Sequence, residues 1–100
     1  ICRTKFKSEV ADVCITLDYF LCVIAKKDNE ILLAEKLHLF KRKPKTDREK
    51  LSVVLNFCKK RKFFFDKKKE YVFKFESEEL LEKFLLEYEV HRKFVEVISS

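Results

Sequence analysis

Glycine is absent from all 100 residues. That excludes a P-loop, a G-x-G-x-x-G dinucleotide turn and a G-x-S-x-G nucleophile elbow, each of which needs residues without a side chain at tight backbone positions. Long apolar runs are also absent. The longest, Tyr19 to Ala25, has seven residues, against the ~18 of a membrane-spanning helix. No signal-peptide pattern is visible. The chain opens at Ile1 rather than Met, as a fragment of a longer protein would. Cysteine is sparse and unclustered. Cys2, Cys14, Cys22 and Cys58 form no C-x-x-C pair, and His38 and His91 stand far from any such pair. Zinc needs clustered ligands, so no metal or cofactor is expected. The cysteines read as free thiols of a reducing compartment, although spacing alone leaves a disulfide open.

Charge is abundant and unevenly placed. Lys and Arg number 23 and Asp and Glu 17, a net charge of +6. Residues 1–40 are neutral overall, residues 41–69 carry a net +10 and residues 70–100 a net −4. The basic clusters are Lys41-Arg42-Lys43-Pro44-Lys45, Lys59-Lys60-Arg61-Lys62 and Lys67-Lys68-Lys69. Such runs resist burial and mark loops or strand ends. They also make a field that attracts an acidic partner.

Apolar residues make up 47% of the chain, enough for one globular domain over 1–100. Val13, Ile15 and Leu17 alternate with Asp12, Cys14, Thr16 and Asp18, the period of a half-buried strand. Tyr19 to Ala25 reads as a more deeply buried strand, broken by Lys26-Lys27-Asp28-Asn29, where Asp and Asn suit a turn. Ile31 to Phe40 reads as two short strands, and Pro44 to Glu49 as a loop. Leu51, Val53, Leu55 and Phe57 oppose Ser52, Val54, Asn56 and Cys58. Tyr71, Phe73 and Phe75 oppose Val72, Lys74 and Glu76. Phe63-Phe64-Phe65 is assigned to a strand pairing with one of these two.

The period changes at Ser77, a good N-cap followed by Glu78 and Glu79, whose charge suits a helix start. Leu81, Phe84, Leu85, Tyr88, His91 and Val95 fall on one stripe, which predicts an amphipathic helix from about residue 78 into the nineties. The expected fold is therefore α+β: about seven antiparallel strands in a bent sheet or partly open barrel, capped by one C-terminal helix.

Strands followed by one capping helix is the layout of the pleckstrin-homology (PH) superfold. The segment Tyr71-Val-Phe-Lys-Phe-Glu-Ser-Glu-Glu-Leu-Leu-Glu-Lys-Phe84 resembles its last strand and helix start, with Phe84 near the place of the usual Trp. Residues 31–57, with Lys43-Pro44 at a turn and Lys50 opening the strand Leu51 to Phe57, resemble more narrowly the N-terminal PH-like domain of the largest non-enzymatic core subunit of TFIIH. The rest of the chain fits that family at the level of pattern. The resemblance implies a nuclear docking module of transcription and nucleotide-excision repair. Its partners would be acidic, aromatic-bearing disordered segments of TFIIE, repair factors and activation domains, with other TFIIH subunits held through the rest of a longer chain. Carried over by position, it implies Lys7 at the end of the first strand, Lys41 before the Pro turn and Lys50 at the strand start. It adds Ser52 and Val54 on that strand and Val72 on its neighbour. Val54 replaces a polar or basic groove residue of the family, and Glu70 stands near an Arg of one branch, beside Lys68 and Lys69.

Pleat alternation alone puts Lys50, Ser52 and Val54 opposite Leu51, Val53 and Leu55, and Val72 and Lys74 opposite Phe73 and Phe75. If the two strands are neighbours, a valine-centred strip rimmed by lysine faces solvent, which suits an acidic peptide bearing an aromatic ring. Two other functions compete. Arg3, Lys5 and Lys7 suggest a phosphoinositide or acidic-lipid site, but Glu9 and Asp12 follow at once. The 41–69 stretch with its interleaved phenylalanines suggests nucleic acid. Catalysis is not expected, since neither histidine has an evident companion.

Overall fold

The computed structural model describes residues 2–41, 43–59, 65 and 67–99. Seven antiparallel strands form one sheet. They are β1 (Cys2–Phe6), β2 (Glu9–Ile15), β3 (Phe20–Ala25), β4 (Ile31–Lys36), β5 (Lys45–Asp47), β6 (Ser52–Lys59) and β7 (Lys67–Lys74), followed by helix α1 (Glu78–Ser99). The order across the sheet is β4-β3-β2-β1-β7-β6-β5. The edges β4 and β5 do not pair, so the sheet is bent but not closed. This is the α+β layout expected from the sequence, and it is consistent with a PH-like fold.

Alternation decides which side chains enter the core. Val53, Leu55 and Phe57 of β6 are buried, as are Tyr71 and Phe73 of β7 and Val13 of β2. β3 also alternates, with Leu21, Val23 and Ala25 buried and the residues between them half-buried. None of its residues is exposed, whereas β2 exposes Val10, so β3 is the more deeply buried of the two, as expected. The helix starts where expected, with the Leu80 amide donating to Ser77 Oγ at 3.2 Å. Its stripe of Leu81, Phe84, Tyr88 and Val95 is buried against the open side of the sheet. Phe84 lies 6.0 Å from Phe73 and 5.3 Å from Phe75, ring centre to ring centre.

The first and last of these strands meet in the middle of the sheet. β1 pairs with β7 through Lys5–Lys74 and Phe6–Phe73, and the buried Thr4 hydroxyl donates to the Lys74 carbonyl at 2.8 Å.

Several segments differ from expectation. Ile31 to Phe40 is one strand, β4, and then a 3-10 turn over Leu37–Leu39, not two strands. Leu37 is buried with its amide on the Tyr19 carbonyl at 2.9 Å, and Phe40 makes only an isolated bridge to Phe57. His38 therefore sits on the turn and not in a strand. The stretch after Pro44 contains β5, paired to β6 through Lys45–Val54, Thr46–Val53 and Asp47–Ser52. Leu17 is fully exposed at the β2–β3 turn and does not continue the Val13–Ile15 face. Of the three adjacent phenylalanines, Phe63 and Phe64 lie outside the described residues, and Phe65 is exposed and outside β7.

A chain without glycine must still turn. Lys7 (φ 51°), Ser8 (φ 63°), Tyr19 (φ 61°), Asn29 (φ 58°) and Leu51 (φ 51°) occupy the left-handed region. Lys7 and Ser8 are the two loop residues between Phe6 and Glu9, the geometry that ordinarily selects Asn-Gly. A side chain there costs about 1–2 kcal/mol, partly offset in the unfolded chain. Ser8→Gly should therefore raise stability by about 0.5–1 kcal/mol. Urea unfolding would read this as a higher midpoint with unchanged slope, and a lower midpoint would refute the strain argument.

Candidate functional site

The strongest constellation is the outer face of β6 and β7. Register sets its rows: Ser52 opposite Lys74, Val54 opposite Val72, Asn56 opposite Glu70 and Cys58 opposite Lys68. These residues lie on the pleat face opposite Val53, Leu55, Tyr71 and Phe73, whose face carries the helix. Val54 is half-buried and Val72 is 43% exposed. The valine pair is therefore a solvent-facing apolar spot and does not lie under α1.

Lysines flank it on three sides. Lys45 of β5 stands opposite Val54. Lys74 is opposite both Ser52 of β6 and Lys5 of β1. Lys7 is one residue past the registered pair Phe6–Phe73, in the turn after β1 and not at its end. Its ammonium lies 5.5 Å from the Phe6 ring centre. Lys5, Lys7, Lys45, Lys68 and Lys74 are all exposed.

Lys50 departs from the reading by alternation. β6 begins at Ser52, and Lys50 lies in the preceding turn, where its amide donates to Asp47 Oδ1 at 3.1 Å. Leu51, left-handed, separates Lys50 from the strand. The pleat therefore does not fix the direction of Lys50, which is exposed at the mouth of the β5–β6 turn.

Lys41 is placed by the helix. The buried Tyr88 hydroxyl donates to the Lys41 carbonyl at 2.6 Å, and Arg92 donates to the Phe40 carbonyl at 3.0 Å. The Lys41 amide donates to the Asn56 carbonyl at 2.8 Å. These bonds pin the backbone of Phe40 and Lys41 between α1 and β6. Burial pushes the Tyr88 phenol up to about 12, against the opposing effect of Arg92.

Lys41 and Asn56, with Phe57, Cys58, Lys68, Lys69 and Glu70, line a concavity of about 480 Å³. It prolongs the Val54–Val72 strip along β6 and β7. A second concavity of about 720 Å³ shares Lys41 and Cys58 and has Phe20, Leu39 and Phe40 on its wall. Asn56 and Cys58 were not singled out from the sequence, although their alternation with Leu55 and Phe57 was the available signal. The seven sequence candidates thus fall into a central pair (Val54, Val72), a row beside it (Ser52, Lys74) and three peripheral lysines (Lys7, Lys41, Lys50).

The surface suits binding by shape and charge. Among the described residues, no carboxylate lies within ion-pair distance of Lys41, Lys50, Lys68 or Lys74. On the first hairpin Arg3 differs, because it pairs with Asp12 at 3.7 Å, while Glu9 is met by Lys27 of the β3–β4 turn at 3.4 Å. No group of three His, Cys, Asp or Glu residues among those described could hold a metal. Cys14, Cys22 and Cys58 are free and half-buried. Cys22 stands opposite Cys14, and burial, then that neighbour, raises its thiol pKa. Fold and surface together define a small α+β module with an open apolar strip among lysines. Compared with protein-family models, curated proteins and solved structures, the chain matches none.

Proposed function

We propose that this chain is a non-enzymatic docking module that takes acidic, aromatic-bearing disordered segments on the outer face of β6 and β7. The observation that carries it is the Val54–Val72 pair, open to solvent and flanked by Lys45 and Lys74, with Lys68 beyond the Asn56–Glu70 row. An aromatic ring gains by covering exposed valine, while carboxylates beside it gain from the lysines. Long-range attraction speeds encounter, and ring insertion sets the lifetime.

The resemblance of residues 31–57 and 71–84 to the TFIIH core-subunit domain extends the proposal. In that reading the chain works in the nucleus in transcription and nucleotide-excision repair. Its segments come from TFIIE, repair factors or activation domains, and other TFIIH subunits bind the remainder of a longer protein. The Arg3–Asp12 ion pair favours this over an acidic-lipid site, since it already neutralises one of the three cations (Arg3, Lys5, Lys7) of the first hairpin.

Titration with an acidic, phenylalanine-bearing segment of TFIIE, followed by amide chemical shifts, should perturb Ser52, Val54, Val72 and Lys74. Lys50→Glu should bind the same peptide about threefold to tenfold more weakly while keeping its fold. Shift changes confined to β1–β2, or binding equally strong in Val54→Asp, would sink the reading.

A further inference from the structure

The two edges of the sheet are not alike. β5 is short, all of it is exposed, and Lys45 and Asp47 are charged, which blunts an edge against pairing. β4 is twice as long, carries no proline, and is apolar from Ile31 to Ala34. The phase of its ladder follows from the Leu37 amide, which bonds the Tyr19 carbonyl at 2.9 Å. Alternation from that bond turns the backbone groups of Leu33 and Glu35 toward β3 and those of Ala34 and Lys36 outward. Both outward residues are exposed, and among the described residues no backbone group meets them from that side.

Beside this edge lies the concavity of about 720 Å³ that the docking strip leaves unused. Glu35 and Lys36 form its β4 side and Cys58 and Lys59 of β6 its far side, with Phe20, Leu39 and Phe40 as the apolar wall. It is the gap of the unclosed sheet, since β5 pairs with β6 only as far as Val54 and does not reach Cys58. Lys36, Lys41 and Lys59 outnumber Glu35 around it. Among the described residues no carboxylate lies within ion-pair distance of those three lysines. The gap shares Lys41 and Cys58 with the concavity that prolongs the Val54–Val72 strip. One basic surface thus runs from the valine pair to the β4 edge.

We infer that the acidic segment continues past Cys58 into this gap and pairs with β4 as an eighth strand, an inference that rests on the docking reading for the nature of the ligand. Main-chain bonds to Ala34 and Lys36 supply affinity whatever the ligand's sequence, and the flanking side chains supply selectivity. A carboxylate opposite Lys36 shares its face and makes a cross-strand ion pair. An apolar side chain of the added strand seats against Phe20, Leu39 and Phe40. The favoured ligand is therefore an extended acidic segment that reaches well beyond its aromatic residue.

The probes are a synthetic peptide of about twenty residues, rich in Asp and Glu with a central phenylalanine, and its middle third alone. Both should shift the amides of Val54 and Val72. Only the long peptide should slow hydrogen exchange at the Ala34 and Lys36 amides. Ala34→Pro removes an outward N–H and no bond to β3, a position where an edge strand tolerates proline. It should weaken the long peptide about threefold to tenfold and leave the short one unchanged. Lys36→Glu, which needs no backbone change, should weaken the long peptide about threefold. Unprotected Ala34 and Lys36 amides, or a Lys36→Glu protein that binds the long peptide as the wild type does, would overturn the inference. So would protection that grows with protein concentration without peptide, the mark of a second copy on this edge. In each of these cases, shifts at Val54 and Val72 keep the docking proposal standing. No shift there with either peptide removes both.

Discussion

Phe84→Ala should lower the free energy of unfolding by about 3–5 kcal/mol, the largest effect expected of any single truncation in this chain. Phe84 is buried and is the ring through which the helix meets the sheet, touching Phe73 and Phe75 below and Tyr88 along the helix. The sheet is open at this point, so no strand can move in to fill the void. The loss therefore includes both the transfer of the ring and the cavity that remains. Against a total of about 5–15 kcal/mol for a domain of this size, the variant would be marginal, with a thermal midpoint lower by more than about 12 °C. Urea unfolding measures the difference, with Leu86→Ala as the exposed control that should change by less than about 0.5 kcal/mol. A change in Phe84→Ala no larger than the control would mean that the helix does not plug the sheet.

The second large effect lies at high pH. Burial raises the Tyr88 phenol to about 12 in the folded protein, whereas in the unfolded chain it titrates near 10. Below pH ~10 both states hold the proton and the stability it confers is fully present. Between pH ~10 and ~12 the unfolded chain releases the proton first, so stability falls with rising pH, by about 2–3 kcal/mol over the window. Tyr88→Phe removes this dependence. At neutral pH it should also cost about 1 kcal/mol for the lost bond to the Lys41 carbonyl. The informative quantity is the difference between the two proteins, because Tyr71, also raised by burial, cancels in it. Parallel stability curves for the two proteins from pH 9 to 12 would show that Tyr88 does not govern the loss.

The helix and the strands β6 and β7 were legible in the sequence because each satisfies a local rule without help. Ser77 caps, Glu78 and Glu79 follow, and the stripe from Leu81 to Val95 keeps one period. Val53, Leu55, Tyr71 and Phe73 alternate cleanly. The Val54–Val72 spot was legible for the same reason, given that the strands are neighbours. Residues 37–41 were not. Leucine at 37 and 39 reads as alternation, yet the conformation there is decided by distant groups: the Tyr19 carbonyl, the Phe57 ring, and the hydroxyl of Tyr88 and guanidinium of Arg92. β5 was missed because all three of its residues are exposed, so it has no apolar period to read. Lys50 was misjudged because alternation was extended through Leu51, whose left-handed backbone interrupts the pleat. The concavity beside Lys41 was hidden for a further reason. Which residue of β7 stands opposite Asn56 is a matter of register, and the hairpin between them is too long for turn chemistry to set it.

The Thr4–Lys74 bond and the place of β1 between β2 and β7 bear on how the protein is made. During synthesis the first four strands can zip into a meander as they leave the ribosome, since each pairs with its predecessor. The free side of β1 then stays unpaired until β7 has emerged, some seventy residues later. A nascent chain halted before that point carries a bare strand edge, open to pairing with the same edge of another unfinished chain.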